Sequence, residues 1–276
     1  MNYSEILRRH GFTFDKSKGQ NFLVNPGVAP RMAEAGTSPY AGVLEIGPGA
    51  GALTRALSRA AAKVVAVELD PRLLPVLEET LADCRNVTVI RGDILKINLP
   101  ALLEEHFRNM PVYICANLPY NITSPVIMRL LESRLPFKAI TVMVQKEAAQ
   151  RLCAPMGSRA CGAITAAVRY YAEPRMLFPV SRGSFVPAPK VESAVLQFIL
   201  RREPPIQVRD EAAFFRLVRA AFGQRRKTIA NAVSAGLGLE KPAVLAAMGR
   251  AGIHSSARAE ELALEDFARL AGEFTS

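Results

Sequence analysis

Residues 43–52 place a short apolar run directly before three closely spaced glycines, Gly47, Gly49 and Gly51. Glycine has no Cβ, so its backbone can approach a ligand closely. The helix-like residues that follow would present free backbone N–H groups at their N-terminus. A plain turn from strand to helix needs fewer glycines, so the pattern indicates a cradle for a nucleotide.

Two acidic residues stand at the end of the next apolar run. Glu68 lies 21 residues after Gly47, where a carboxylate would hold the hydroxyls of a ribose. Asp70 is the alternative ligand, but it precedes Pro71 and so has the position of a helix N-cap. We therefore predict that Glu68 binds the ligand and that Asp70 caps a helix.

Two further polar sites follow later apolar runs. Asp93 could accept a hydrogen bond from the exocyclic amine of an adenine, although an aspartate here could equally be a turn or cap residue. The loop Asn117-Leu118-Pro119-Tyr120 combines an amide, a carbonyl next to a rigid ring, and an aromatic side chain. That combination suits a planar base that carries an amino group.

A dinucleotide-binding oxidoreductase is the main rival interpretation. The spacing Gly47-x-Gly49-x-x-Ala52 fits the dinucleotide fingerprint, which tolerates alanine at its third position. A site for hydride transfer has no evident need for the loop at residues 117–120. Together with Asp93, that loop favours an adenosyl ligand over NAD.

These sites follow predicted strands that alternate with predicted helices. The predicted strands are residues 42–46, 63–68, 87–91, 112–116 and 139–144. Apolar strands separated by helices indicate a parallel sheet covered on both faces, with ligands at the carboxyl ends of its strands. We predict an α/β protein with a Rossmann-like, doubly wound, mostly parallel sheet, and all four polar sites then fall at one edge of that sheet.

The last quarter of the chain differs in composition. A predicted strand at residues 193–200 is followed by Pro204-Pro205, after which the sequence is rich in alanine. We expect a domain boundary there, with a larger α/β domain at 1–203 and a small all-helical domain at 204–276. The predicted helices are residues 211–222, 226–235, 242–250 and 259–271.

The net charge of +10 is concentrated in one third of the chain. Residues 134–227 contain 17 Lys or Arg and 6 Asp or Glu, a net of +11, and the remainder contains 18 against 19, a net of −1. Solvated surfaces usually mix both signs. The concentration predicts a polyanionic partner, nucleic acid first, contacted by one surface that runs through both domains.

Several other classes of protein are disfavoured. No apolar run reaches the ~18 residues of a membrane span, and residues 1–10 do not resemble a signal peptide. The four cysteines lack C-x-x-C spacing, and the three histidines form no ligand pattern with them. We expect reduced thiols, no metal and a monomer in the cytoplasm.

Seven motifs, in order, resemble those of the KsgA/RsmA-type ribosomal RNA adenine N6,N6-dimethyltransferases. They are Gln20-Asn21-Phe22-Leu23, the glycine loop at 45–51, Glu68, Asp93, Asn117-Leu118-Pro119-Tyr120, the Phe-x-Pro-x-Pro-Lys-Val-Glu-Ser stretch at 185–193, and Phe-Gly-Gln-Arg-Arg-Lys-Thr at 222–228. Each motif alone is weak or moderate evidence. Their shared order over nearly the whole chain identifies it as a member of that family.

The resemblance implies S-adenosylmethionine as cofactor and dimethylation of N6 on two adjacent adenines in a hairpin loop near the 3′ end of small-subunit (16S) rRNA. It also implies a role in small-subunit assembly. The implied cofactor-binding residues are Asn21, Leu23, Gly47, Gly49, Gly51, Glu68, Asp93 and Asn117. The implied catalytic residues, which would hold the target adenine, are Asn117, Pro119, Tyr120 and Phe185. The implied RNA-binding residues are Lys190, Arg225, Arg226 and Lys227.

Two related functions share parts of this pattern. A sister group modifies large-subunit RNA, but the segment Arg225-Arg226-Lys227 favours the small-subunit group. A non-enzymatic RNA-binding or assembly factor could keep the same fold. The intact glycine loop and the intact loop at residues 117–120 argue for an enzyme.

Overall fold

The computed structural model describes residues 1–14 and 19–274. The strands within them are β1 (Phe22–Leu23), β2 (Gly42–Ile46), β3 (Lys63–Glu68), β4 (Val87–Arg91), β5 (Val112–Asn117), β6 (Phe137–Gln145), β7 (Ala172–Val180), β8 (Phe185–Val186) and β9 (Ser193–Leu200). The α-helices are α1 (Tyr3–Arg9), α2 (Val28–Gly36), α3 (Ala52–Ala60), α4 (Leu74–Thr80), α5 (Leu99–Phe107), α6 (Thr123–Glu132), α7 (Lys146–Cys153), α8 (Ala163–Tyr171), α9 (Glu211–Phe222), α10 (Ile229–Leu237), α11 (Lys241–Arg250) and α12 (Leu264–Gly272).

Seven strands form one sheet in the order β4-β3-β2-β5-β6-β9-β7. The pairs from β4 through β6 are parallel, and β9 is antiparallel to β6. The strand order reverses at β2, because the chain first adds β3 and β4 on one side and then returns to place β5 on the other. Ligand sites of doubly wound sheets lie beyond the carboxyl ends of the strands at such a reversal. The predicted Rossmann-like, mostly parallel sheet is therefore confirmed.

The central strands are buried along almost their whole length, as a sheet covered on both faces requires. All of β2 is buried, and so are five of the six residues of β3. One residue of β2 departs from the apolar pattern, because Glu45 carries a carboxyl group into this layer.

The N-terminal residues pack against the segment that follows β3. Ile6, Leu7 and Phe22 share an apolar cluster with Leu73 and Leu77. The next residues form β1, which pairs in antiparallel fashion with β8 in a separate two-stranded sheet. This packing and pairing place the Gln20-Asn21-Phe22-Leu23 motif beside the carboxyl ends of the central strands.

Three features differ from the elements expected from sequence. β7 covers residues for which we predicted no strand, and Pro174 and Pro179 interrupt its apolar pattern. Proline is tolerated in a strand at the edge of a sheet, and β7 has that position. The helix expected at residues 226–235 begins only at Ile229, and the helix expected at 259–271 is divided into a short 3-10 turn, Ala259–Glu261, and α12.

Contacts between Cα atoms divide the chain into two compact units. The first comprises the chain up to Ala149 together with Pro174–Leu200, and the second comprises Gln150–Glu173 together with the chain from Arg201 onward. The expected division placed residues 150–173 in the first domain, whereas here they cluster with the helices of the second unit. The functional domain boundaries themselves stay a prediction.

The second unit contains an aromatic cluster that explains this grouping. Tyr170 and Tyr171 of α8 pack against Phe214 and Phe215 of α9, with ring centroids 5.2–5.6 Å apart across the two helices. Both tyrosine hydroxyls donate to the carboxylate of Glu211, at 2.9 and 2.6 Å. These contacts attach α8 to the C-terminal helices.

Candidate active site

A cavity of about 220 Å³ lies in the first unit, at the carboxyl ends of the central strands. Its walls come from the N-terminal segment and from the loops that follow β2, β3, β4 and β5. The sequence-predicted residues that line it are Asn21, Leu23, Gly47, Gly49, Glu68, Asp93, Asn117, Pro119 and Tyr120. Most of the predicted cofactor and catalytic residues are thus brought to one place.

The glycine loop has the backbone geometry that its sequence indicates. Gly47, Gly49 and Gly51 have φ angles of +68°, +60° and +89°, which side-chain-bearing residues rarely adopt. A Cβ on Gly49 would lie 2.7 Å from the ring of Phe22, whereas a Cβ on Gly47 would meet no atom within 4 Å. Gly47 therefore faces open space, and Gly49 permits the N-terminal segment to approach. Gly51 precedes α3 and does not line the cavity.

Glu68 is held in place by backbone groups. Its Oε1 accepts a hydrogen bond of 2.7 Å from the backbone N–H of Asp70, and its Oε2 accepts one of 3.3 Å from that of Gly49. Burial raises the pKa of the Glu68 carboxyl, and these two hydrogen bonds lower it. Asp70 has the predicted cap position, because its Oδ1 accepts from the N–H of Arg72 at 3.2 Å at the start of a 3-10 turn.

Asp93 has the turn role considered from sequence, and its contact with an adenine stays a prediction. Its Oδ1 accepts a hydrogen bond of 2.9 Å from the N–H of Leu95, which makes it a turn residue. Its side chain is also about a quarter exposed, and the residue lines the cavity. The other carboxylate oxygen lies 3.9 Å from Lys96 Nζ.

Asn117 is oriented by the N-terminal segment. Its side-chain nitrogen donates a hydrogen bond of 3.1 Å to the carbonyl oxygen of Asn21. Among the described residues no hydrogen bond to the oxygen of the same amide is found. The hydrogen bond to Asn21 therefore orients the Asn117 amide. It leaves the amide oxygen as a hydrogen-bond acceptor at the cavity.

The other two residues of that loop have partners of their own. The carbonyl oxygen of Pro119 accepts from the N–H of Ile122 at 3.2 Å and from the hydroxyl of Thr123 at 3.1 Å, which uses both of its lone pairs. A ligand that bonded to this carbonyl would replace one of them, and the Thr123 hydroxyl is free to rotate. The Tyr120 hydroxyl lies 2.9 Å from that of Ser193.

Phe185 is the predicted catalytic residue that does not line the cavity. It pairs with Leu23 across the two-stranded sheet, and its side chain is only 3% exposed within an apolar cluster. Stacking of Phe185 on a target base would need this side chain to leave that cluster, and its catalytic role stays a prediction.

The four predicted RNA-binding residues are all exposed. Lys190 lies between β8 and β9 in the first unit. Arg225, Arg226 and Lys227 lie in the turn between α9 and α10 of the second unit, where the sequence had predicted the start of a helix.

Sequence reasoning missed two residues of this site. Glu45 lines the cavity, is 1% exposed, and its Oε2 has no hydrogen-bond partner among the described residues. Ser193, fully buried, holds the Tyr120 hydroxyl. A charged residue inside an apolar strand was a signal for Glu45. Ser193 ends the motif at 185–193, but nothing in that motif indicates its contact with Tyr120.

The described part of the chain spans residues 1–14 and 19–274. They contain no group of three or more His, Cys, Asp or Glu side chains that could hold a metal ion. No helix in them has the length and hydropathy needed to cross a membrane. All four cysteines are free thiols, as predicted.

A family model described as ribosomal RNA adenine dimethylase matches residues 11–276. The chain is 46% identical over 269 residues to Ribosomal RNA small subunit methyltransferase A of Shouchella clausii, covering 96% of this chain and 91% of the relative. The protein of the same name from Streptococcus sanguinis is 45% identical over 277 residues, covering 98% and 95%.

Two solved structures are similar over most of their length. A dimethyladenosine transferase from Plasmodium falciparum has a TM-score of 0.76 and 27% identity, with 92% of this chain and 97% of that chain covered. The 23S rRNA methyltransferase ErmE has a TM-score of 0.66 and 29% identity, with 93% and 100% covered.

Proposed function

We propose that this chain, which belongs to the ribosomal RNA adenine dimethylase family, transfers methyl groups from S-adenosylmethionine to N6 of two adjacent adenines in a hairpin loop near the 3′ end of 16S rRNA. The relatives at about 45% identity are named for the small subunit, whereas the large-subunit enzyme is only 29% identical. This difference supports the small-subunit substrate.

The observation that carries the proposal is the orientation of Asn117. Its amide nitrogen donates to the Asn21 carbonyl, so its amide oxygen is the atom available to accept a hydrogen bond from a donor group in the cavity. The exocyclic amine of adenine is such a group. If the cofactor were a nicotinamide, this orientation of the Asn117 amide would have no evident function.

The cavity residues fit the proposed cofactor. Gly47 faces open space, where the amino-acid portion would lie against the backbone. Glu68 and Asp93 present carboxylate oxygens suited to ribose hydroxyls and to the adenine amine. When bound, the cofactor supplies an electrophilic methyl group on a sulfonium, which is a good leaving group.

Asn117 and its neighbours would then act on the target adenine. The base must leave its stack to reach the cavity, and the N6 lone pair is delocalised into the ring. In the first transfer, hydrogen bonds from the two N6–H groups to the Asn117 oxygen, and to the Pro119 carbonyl in place of the Thr123 hydroxyl, would favour a pyramidal nitrogen able to accept the methyl group. The second transfer would have one N6–H left for these acceptors. Each transfer would replace one N6 proton, which leaves to solvent, and would release the cofactor as a neutral thioether. Tyr120 would stack on the base, worth ~1–3 kcal/mol. Positioning supplies most of the rate in this scheme.

Four exposed basic side chains complete the proposal. Lys190, Arg225, Arg226 and Lys227 would contact RNA phosphates. The protein would act as a cytoplasmic monomer on rRNA or a small-subunit particle, with a further role in subunit assembly. A purely non-enzymatic assembly factor would have no need of the Asn117 arrangement.

Titration calorimetry tests the cofactor assignment. We expect S-adenosylmethionine to bind and NAD to give no heat under the same conditions. Binding of NAD at micromolar strength without binding of S-adenosylmethionine would overturn the proposal.

A further inference from the structure

Glu45 is a carboxyl group buried in the floor of the cavity. In the register of the sheet it lies between Ala66 of β3 and Cys115 of β5. Its side chain is almost wholly out of contact with solvent, and its Oε2 is one of the few buried polar atoms without a hydrogen-bond partner among the described residues. A buried carboxylate without a partner is strongly disfavoured, so the group needs either a proton or a positive charge.

Within the part of the chain that the structure describes, no positive charge acts on Glu45. The titratable groups that face it are Glu68, which is a like charge, and the Cys115 thiol, whose pKa burial raises so that it stays neutral. Thr54 of α3 is the polar neighbour on the helix above it. Among the described residues that line the cavity there are four carboxyl groups and no Lys, Arg or His.

Two of those carboxylates already have cationic partners. Asp70 pairs with Arg72, and Asp93 lies 3.9 Å from Lys96 Nζ. Glu68 is satisfied by backbone N–H groups. Glu45 is therefore the carboxyl of the cavity whose charge is least compensated, and it lies two residues before the glycine loop.

We propose that Glu45 is a proton-linked binding group: in the free protein its carboxyl carries a proton, and it releases that proton when a cationic cofactor fills the cavity. The inference rests on the proposed use of S-adenosylmethionine, whose sulfonium and ammonium groups are both positive. Glu45 is then negatively charged only when the cationic cofactor is bound.

The direction of the pH effect follows from the free protein. Burial, with a smaller contribution from the negative charge of Glu68, raises the pKa of Glu45 to about 8, while Thr54 lowers it. A bound cation favours the ionised form and lowers this pKa. Below pH 8 binding therefore releases a proton, and cofactor affinity should rise with pH by up to about tenfold per unit before levelling off.

Calorimetry in buffers of different ionisation enthalpy measures the proton directly. At pH 6.5 the cofactor's own amino group, like an α-amino group with a pKa of about 7.7–8.0, is already protonated in solution. We expect the wild type to release close to one proton per S-adenosylmethionine bound. Glu45→Gln should release clearly fewer protons than the wild type, and its affinity should depend much less on pH between 6 and 7, where the cofactor's amino group stays protonated.

Glu34→Gln is the matched control, since it removes an exposed carboxyl of α2 that does not line the cavity. It should release the same proton as the wild type. Binding of S-adenosylmethionine by the wild type at pH 6.5 without proton release overturns the inference, whether or not Glu45→Gln folds. Equal release by Glu45→Gln also overturns it. No binding of S-adenosylmethionine at any pH would instead contradict the proposed function.

Discussion

The phenolic oxygen of Tyr120 lies 2.9 Å from the hydroxyl oxygen of Ser193. Ser193 is fully buried as the first residue of β9, whereas Tyr120 belongs to the loop after β5. This one hydrogen bond therefore joins the proposed base-stacking ring to the sheet. It fixes the ring at the cavity before any RNA is present.

Ser193→Ala should leave the ring free to rotate and lower kcat/KM for RNA about two- to tenfold, the net value of one hydrogen bond of ~0.5–1.5 kcal/mol. Affinity for S-adenosylmethionine should not change. Tyr120→Phe removes the same bond, so the double variant should be no worse than the more impaired single variant. Fully additive losses would show that the two hydroxyls act separately.

Asn117→Ala should lower methyl transfer about hundredfold or more, as expected when a preorganised transition-state hydrogen bond is removed. Cofactor affinity should fall much less, because Glu68, Asp93 and the glycine loop are unchanged. Single-turnover rates and calorimetry on the same preparations separate the two effects. A variant with near wild-type turnover would remove Asn117 from the mechanism.

Gly49→Ala should destabilise the protein by about 1–3 kcal/mol, because alanine is strained at a φ of +60° and its Cβ would lie 2.7 Å from Phe22. The same collision should weaken cofactor binding by displacing the N-terminal segment. Gly27→Ala is the control, because its Cβ meets only an ordinary contact of 3.5 Å. Urea unfolding checks both variants, and equal midpoints would contradict the argument.

Replacing Arg225, Arg226 and Lys227 by alanine should weaken RNA binding and reduce the slope of log affinity against log salt by about one to two. The three residues are exposed in a turn, and Arg225 donates a hydrogen bond of 3.0 Å to the Arg159 carbonyl. Arg226 and Lys227 replaced alone therefore serve as a second variant that keeps this contact. The control replaces three exposed arginines of the first unit, Arg8, Arg85 and Arg108, by alanine. It should leave the slope of log affinity against log salt unchanged. Identical slopes and intercepts for wild type and the first variant would exclude this turn as an RNA contact.

The strands that carry the site could be predicted closely from sequence. The expected strands at residues 42–46, 63–68 and 87–91 have the same bounds as β2, β3 and β4. Each is a run of apolar residues, and such a run is the main sequence feature of a parallel strand buried on both faces. Because parallel strands end at one edge, their polar terminal residues could also be predicted to meet there.

Features that depend on distant parts of the chain could not be predicted. The prolines of β7 are compatible with a strand only because it lies at an edge of the sheet. Asn117 is oriented by the Asn21 carbonyl 96 residues earlier in the chain, and Ser193 meets Tyr120 from 73 residues away. No local pattern encodes such pairings. Phe185 was predicted from its motif, which carries no information about its burial.

Transfer of labelled methyl groups to purified ribosomal particles tests the central claim most directly. Small subunits lacking the modification, large subunits and free 16S rRNA are incubated with the protein and labelled S-adenosylmethionine, and the modified nucleosides are identified by mass spectrometry. We expect N6,N6-dimethyladenosine at two adjacent adenines of the small-subunit RNA, with about a hundredth of the label or less when Asn117 is replaced by alanine. Label confined to large-subunit RNA, or no dimethyladenosine from protein that binds the cofactor, would contradict it.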